Sequence, residues 1–282
     1  MKKIITLLLL STTYIFSNIN VVVSIAPEVT FVKAIGGEKV DVSLMVQVGN
    51  SPHIYEPKPS QMRAIAKADI YFAIGVEFEH VWLSKFHSLN EKMQIVNLDE
   101  GITKIEMTQT HHAHKSHDGD DKKDPHIWTS PTNVKRIAQN IYRALSAIDS
   151  DNMKYYKNNL NLFLDRVNHT DNQIKELLST LKGSRKFMVF HPSWGYFAKA
   201  YNLEQIAVEV EGKSPKSREL VNLIKEAKEE KVKAIFTQPE FSDASAKIIA
   251  NELHIPVVKI SPMAQNWSDT LIVIAKTIAG KK

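Results

Sequence analysis

The sequence predicts an α/β protein made of two four-stranded parallel-sheet lobes joined by one long rigid helix. Three observations predict it. Short β-branched runs alternate with helix-like segments, which is the pattern of parallel strands covered by helices on both faces. The runs fall into two groups of four. Between the groups lies one helical pattern without an internal Gly or Pro.

The first group is NVVVSIA (20–26), VDVSLMV (40–46), DIYFAIG (69–75) and MQIVNL (93–98), with helices expected over 27–35 and 59–68. A further helix is expected over 131–148, where Ser130 serves as N-cap and Pro131 occupies the first turn. The connector follows. Its apolar residues Met153, Tyr156, Leu160, Phe163, Val167, Ile174, Leu177 and Leu181 step by threes and fours, with polar Thr170 at the one interruption. Ser150 or Asp151 can cap its start and Gly183 its end. A helix over 151–182 would be ~48 Å long, longer than either lobe is wide, so it should pack along both and permit small tilts rather than wide hinge closure. The alternatives are a long helix inside one domain or at a dimer seam. The second group is RKFMVF (185–190), EQIAVEV (204–210), VKAIFTQ (232–238) and IPVVKIS (255–261).

The start, MKKIITLLLLSTTYIFSNIN, has the parts of a secretory signal peptide: Lys2 and Lys3, an apolar run opening at Ile4–Leu10, and small Ser17 as a cleavage point. The apolar run is too short to cross a ~30 Å bilayer as a helix; a retained anchor is the alternative. The expected division is a leader over 1–17, a first lobe over 18–149 with a His/Asp-rich loop at 109–124, the connector over 150–183, and a second lobe over 184–282.

With 43% apolar and 24% charged residues, the chain can bury a sizeable core. It has no cysteine, which excludes disulfides, thiolate metal sites and a lipid-modified N-terminal cysteine. The mature protein is expected to be free and soluble. Its formal charge is +5, and the excess is spread along the chain. That excludes the basic stripe nucleic-acid binding needs.

Residues 111–128, HHAHKSHDGDDKKDPHIW, hold His111, His112, His114, His117 and His126. The first four lie among Asp118, Gly119, Asp120, Asp121, Lys122 and Lys123. That stretch lacks apolar content and is expected to be disordered, binding metal only weakly because ordering it costs entropy. It reads either as an auxiliary capture or delivery element or as a solvated spacer. His126 differs, being tied to a helix start by Ser130 and Pro131 and flanked by Trp128. His53 (in NSPHIYEPKPS) and His191 (after KFMVF) also sit at junctions feeding helices, and ligands of open α/β sheets bind at the carboxyl ends of strands. The separations among the three carry no local motif. His80, His87, His169 and His254 are read as surface residues. Trp194 and Tyr196 are read as cleft packing.

NSPHIYEPKPSQM, DPHIWTSPTNV and MVFHPSWGYFAKAYNL resemble the three metal-ligand segments of the metal-binding receptor proteins of ABC importers, specifically the zinc branch typified by ZnuA. The resemblance runs over essentially the whole mature chain. It implies a zinc site from His53, His126 and His191 between the lobes, a monomeric periplasmic receptor and an inner-membrane ABC permease as partner, with no catalysis and no nucleic acid. Many such relatives supply a carboxylate from the loop after the last strand, where this chain reads KISPMAQNW with Ser261 at that place. The fourth position is thus open, or filled by water or by Glu240 of TQPEFS. Three imidazoles suit zinc, whereas manganese favours oxygen donors. The alternatives are a same-fold receptor for manganese or another divalent metal, a surface adhesin, or a secreted zinc hydrolase. A hydrolase needs a base beside the metal, and no H-E-x-x-H motif is present.

Overall fold

The computed structural model describes residues 18–52, 54–107, 123–210 and 213–281. The expected leader over 1–17, His53 and His111, His112, His114 and His117 lie outside them.

The chain runs β1 (Ile19–Val23), α1 (Ala26–Gly36), β2 (Val40–Leu44), α2 (Pro59–Ile65), β3 (Ile70–Ala73), α3 (Glu77–Leu89), β4 (Gln94–Asn97), α4 (Pro131–Ile148) and α5 (Met153–Ser179). It continues through β5 (Lys186–Val189), α6 (Gly195–Ala200), β6 (Glu204–Ala207), α7 (Ser217–Glu229), β7 (Ile235–Thr237), α8 (Ala244–Leu253), β8 (Val257–Lys259) and α9 (Trp267–Ile278). Two wholly parallel four-stranded sheets result, ordered β2-β1-β3-β4 and β6-β5-β7-β8. All eight expected strands form, and the expected α/β class is the observed one. In both sheets the chain reverses direction of travel at the second position, between β1 and β3 and between β5 and β7. In open α/β sheets such switch points, at the strands' carboxyl ends, are where a ligand crevice can form.

α5 is 27 residues long, about 40 Å at 1.5 Å per residue. It is shorter than the expected 151–182 because Ser150–Asn152 form a 3-10 turn ahead of it and the chain leaves the helix at Thr180. Tyr156, Leu160, Phe163, Val167, Ile174 and Leu178 form its buried stripe, while Met153 is exposed. The polar interruption has its own use: Thr170 is buried, and its hydroxyl meets Ser268 Oγ of α9 at 2.6 Å.

The stripe is shared between the lobes. Phe163 packs on Phe31 of α1 at 5.7 Å between centroids, and Phe31 meets Trp267 of α9 edge-on, also at 5.7 Å. The inner side chains of β5, Phe187 and Val189, join the same apolar cluster as Val21 and Phe31. Met188, on the opposite face, joins a separate cluster with Ile206, Ile235 and Ile249. Strand alternation therefore lets one sheet serve two cores. Polar ties cross between the lobes as well: Trp128 Nε1 donates to Pro262 O at 2.8 Å, Trp267 Nε1 to Trp128 O at 2.6 Å, and Tyr196 Oη to Asp124 O at 2.9 Å. Among the described residues no helix is long and apolar enough to cross a membrane.

Candidate metal centre

His126 leaves a short extended approach to the 3-10 turn Ile127–Thr129, which runs into Ser130 and α4. Asp124 holds it twice. The His126 backbone N–H donates to Asp124 Oδ1 at 2.9 Å, and ring Nδ1 lies 2.7 Å from the same oxygen. Asp124 is wholly buried. The helix packed over it starts with Gly195, where a Cβ would come 2.5 Å from Asp124 Oδ2, so only glycine permits this close approach.

His191 follows β5. Its Nδ1 lies 2.8 Å from Glu209 Oε1, and its backbone is clamped by Gln238, which accepts from His191 N at 3.3 Å and donates to His191 O at 2.8 Å. The ring stacks on Phe241 with centroids 5.0 Å apart and 25° between planes.

Both imidazoles are thus handled alike. In each, Nδ1–H donates to a carboxylate oxygen, the tautomer that leaves the lone pair on Nε2. The two rings lie 5.4 Å apart at 69°. An ion ~2.0–2.1 Å from each Nε2 requires ring centroids about 5 Å apart, close to that spacing. His126 and His191 are 6% and 7% exposed, so water has little access from behind.

Ser51, Pro52, His126, His191, Glu240 and Phe241 are among the residues around a cleft of about 20 Å³, room for one ion or one water. Pro52 brings the chain to this cleft directly before His53, which itself lies outside the described residues. Among the described residues alone, no group of three or more His, Asp or Glu is arranged to hold a metal. Glu240 accepts from Ser261 Oγ at 3.1 Å. Burial pushes its carboxyl above the ordinary range, with the Ser261 hydrogen bond pulling the other way. Ser261 therefore touches Glu240, which with Glu77 is one of the two carboxylates around the cleft among the described residues.

His80, His87, His169 and His254 are exposed and away from the cleft, as read from their positions. Trp128, Trp194 and Tyr196 are buried. The sequence reading missed Asp124, Glu209 and Gln238. Asp124 stands two residues before His126 and was visible in DPHIW; Glu209 comes from beyond β6 and carries no local signal.

A two-lobed α/β scaffold with a long helical connector and an imidazole-lined crevice defines a protein that can hold a metal ion between its lobes. The chain belongs to the ZnuA family, the periplasmic zinc-uptake complex component A, whose model matches residues 21–279. It is similar to a crystal structure of ZnuA, with 40% identity and a TM-score of 0.86 over 94% of this chain and 99% of that one. A zinc-bound ZnuA deletion mutant aligns at 41% identity and TM-score 0.84, covering 93% and 97%. The manganese ABC transporter substrate-binding lipoprotein PsaA of Streptococcus mitis is 28% identical over 260 residues, 88% of this chain and 79% of that protein. The family's role is binding a metal for an ABC transporter, with location outside the cytoplasm.

Proposed function

We propose that the protein is a monomeric periplasmic zinc receptor, exported by its leader, which captures Zn2+ through His53, His126 and His191 and delivers it to an inner-membrane ABC permease. The observation that carries this reading is the His126–His191 pair, one ring from each lobe, with each Nδ1 held by its own carboxylate. Two imidazoles fixed in this way present preorganised nitrogen donors, the ligand type that suits zinc. His53 is assigned as the third donor because Pro52 lines the same cleft. The fourth corner is left to water or Glu240. The His-rich loop, His111 to His117, is assigned weak auxiliary capture.

A manganese receptor is the second reading. It is favoured by the Glu240 carboxylate at the cleft, an oxygen donor of the kind manganese prefers, and by the streptococcal relative named for manganese. The deciding experiment is elemental analysis of protein purified without added metal, with competitive titration of Zn2+ and Mn2+. Zinc at one equivalent, and a preference lost in His191→Ala, is the expected result. Manganese retained in preference to zinc would overturn the zinc assignment.

A further inference from the structure

On the side of the lobe junction formed by α4 and α6 there is a second concavity, an open groove of about 640 Å³. The first turn of α4 faces it, as do Lys135, Arg136 and Lys199. No Asp or Glu is among the described residues lining it. Lys135 reaches Asp171 only at 3.9 Å. Arg136 and Lys199 make no ion pair with a carboxylate among the described residues.

Ser130 is the informative residue. It occupies the N-cap position of an 18-residue helix with extended backbone angles, yet its side chain makes no capping hydrogen bond. It is only 4% exposed and lines the groove. N-cap serines ordinarily bond a first-turn N–H; this hydroxyl has no hydrogen-bond partner among the described residues. The amides of Thr132 and Asn133 belong to the helix's first turn, where N–H groups lack intrahelical acceptors. The positive end of the α4 dipole adds to the three cations. The Ser130 hydroxyl, the first-turn residues of α4, the Arg136 guanidinium and the Lys199 ammonium line one groove, and together they are the donor set that a tetrahedral oxyanion takes up.

We propose that this groove binds a phosphate group. Ser130, the α4 N-terminus and Arg136 come from the first lobe and Lys199 from the second, so the ligand spans the junction. The ligand class is a phosphate-bearing anion, free in solution or on a lipid headgroup. The site is separate from the metal cleft and independent of the identity of the cargo.

The test uses the full-length mature chain stripped of metal, so that it neither requires zinc nor precipitates it. Inorganic phosphate is titrated calorimetrically at constant ionic strength. Saturable one-to-one binding is expected. Arg136→Ala and Lys199→Ala should each weaken it about tenfold, the effect of one charge-assisted contact. Ser130→Ala should weaken it about fivefold, and Lys225→Ala, on the exposed face of α7, should leave it unchanged. In a second arm, phosphatidylglycerol vesicles are sedimented with the protein. Vesicle binding that free phosphate displaces and Arg136→Ala removes identifies the headgroup as the source; phosphate binding without it identifies the free anion. The proposal is overturned if phosphate shows no saturable binding and vesicles do not sediment the chain. It is equally overturned if binding is the same in Ser130→Ala, whose small change leaves the fold in place, as in the parent.

Discussion

The two sheets have one topology and put their switch points to opposite uses. In the second lobe, the crevice between β5 and β7 presents His191, Gln238 and Glu240 to the cleft. In the first, the equivalent crevice between β1 and β3 is filled by the protein's own acids. Glu28 and Glu79 occupy the third position of α1 and α3, and each bends back to cap the turn that precedes its helix. Glu28 Oε2 accepts from Ser24 N at 3.1 Å and Ile25 N at 2.9 Å. Glu79 accepts from Ile74 N at 2.9 Å and Gly75 N at 2.7 Å. The Ser24 hydroxyl bonds Glu79 and meets Tyr71 Oη at 2.7 Å. Both carboxyls are buried. Topology thus nominates a place for a ligand, and side-chain chemistry decides whether the place is open or already occupied. The first lobe's closed crevice stiffens the turn that carries Val76 and Glu77 to the cleft wall.

This contrast can be broken in graded ways. The largest effect is expected at the open crevice: His126→Ala or His191→Ala should weaken zinc binding by more than about a hundredfold in competitive titration, since each removes a donor outright. Next come the carboxylates behind them. Asp124→Asn and Glu209→Gln should cost about ten- to a hundredfold; a silent Glu209→Gln would mean that His191 needs no help in presenting Nε2.

The closed crevice should announce itself in pH dependence. Burial raises the Glu79 carboxyl to about 7, against hydrogen bonds from Ser24, Ile74 and Gly75 that lower it, and burial also raises Glu28, helped by the charge of Glu79. The native state therefore keeps protons that the unfolded chain releases. Stability should fall as pH rises from the ordinary carboxyl range to about 7, by about 3 kcal/mol for Glu79 alone. Chemical denaturation of Glu79→Gln should be flatter across that window; an unchanged slope would show that Glu79 ionises without cost. The smallest effect is expected from deleting 110–122, which should change tight zinc binding less than about threefold, because flexible histidines forfeit affinity to ordering entropy. Loss of tight binding on that deletion would move the site into the loop.

Much of this architecture was legible in the residues. NVVVSIA, DIYFAIG and KFMVF are dense in β-branched and apolar side chains because their strands are covered on both faces. The helix over 131–148 was readable to its ends from Ser130 and Pro131, although Ser130 turns out not to cap. The connector's stripe appeared at helical spacing, but its frayed ends did not, since Ser150–Asn152 and Thr180 differ little in local propensity from their neighbours. Of the site, His191 could be nominated by its place after a strand and before a helix, and His126 by its place just before the helix over 131–148. Glu209 could not, nor could the pairing of Glu28 with Glu79.

By itself, then, the sequence determined the alternation of strand and helix, the count of four and four, the rigid link between them, and the kinds of atom available to hold a cation. Those features follow from short-range periodicity and covalent identity. Which imidazole leans on which carboxylate, which crevice stays open, and how one apolar stripe is shared by two lobes were decided only in three dimensions. Each depends on residues far apart in the chain meeting in a low-dielectric interior, where a buried charge must find its partner.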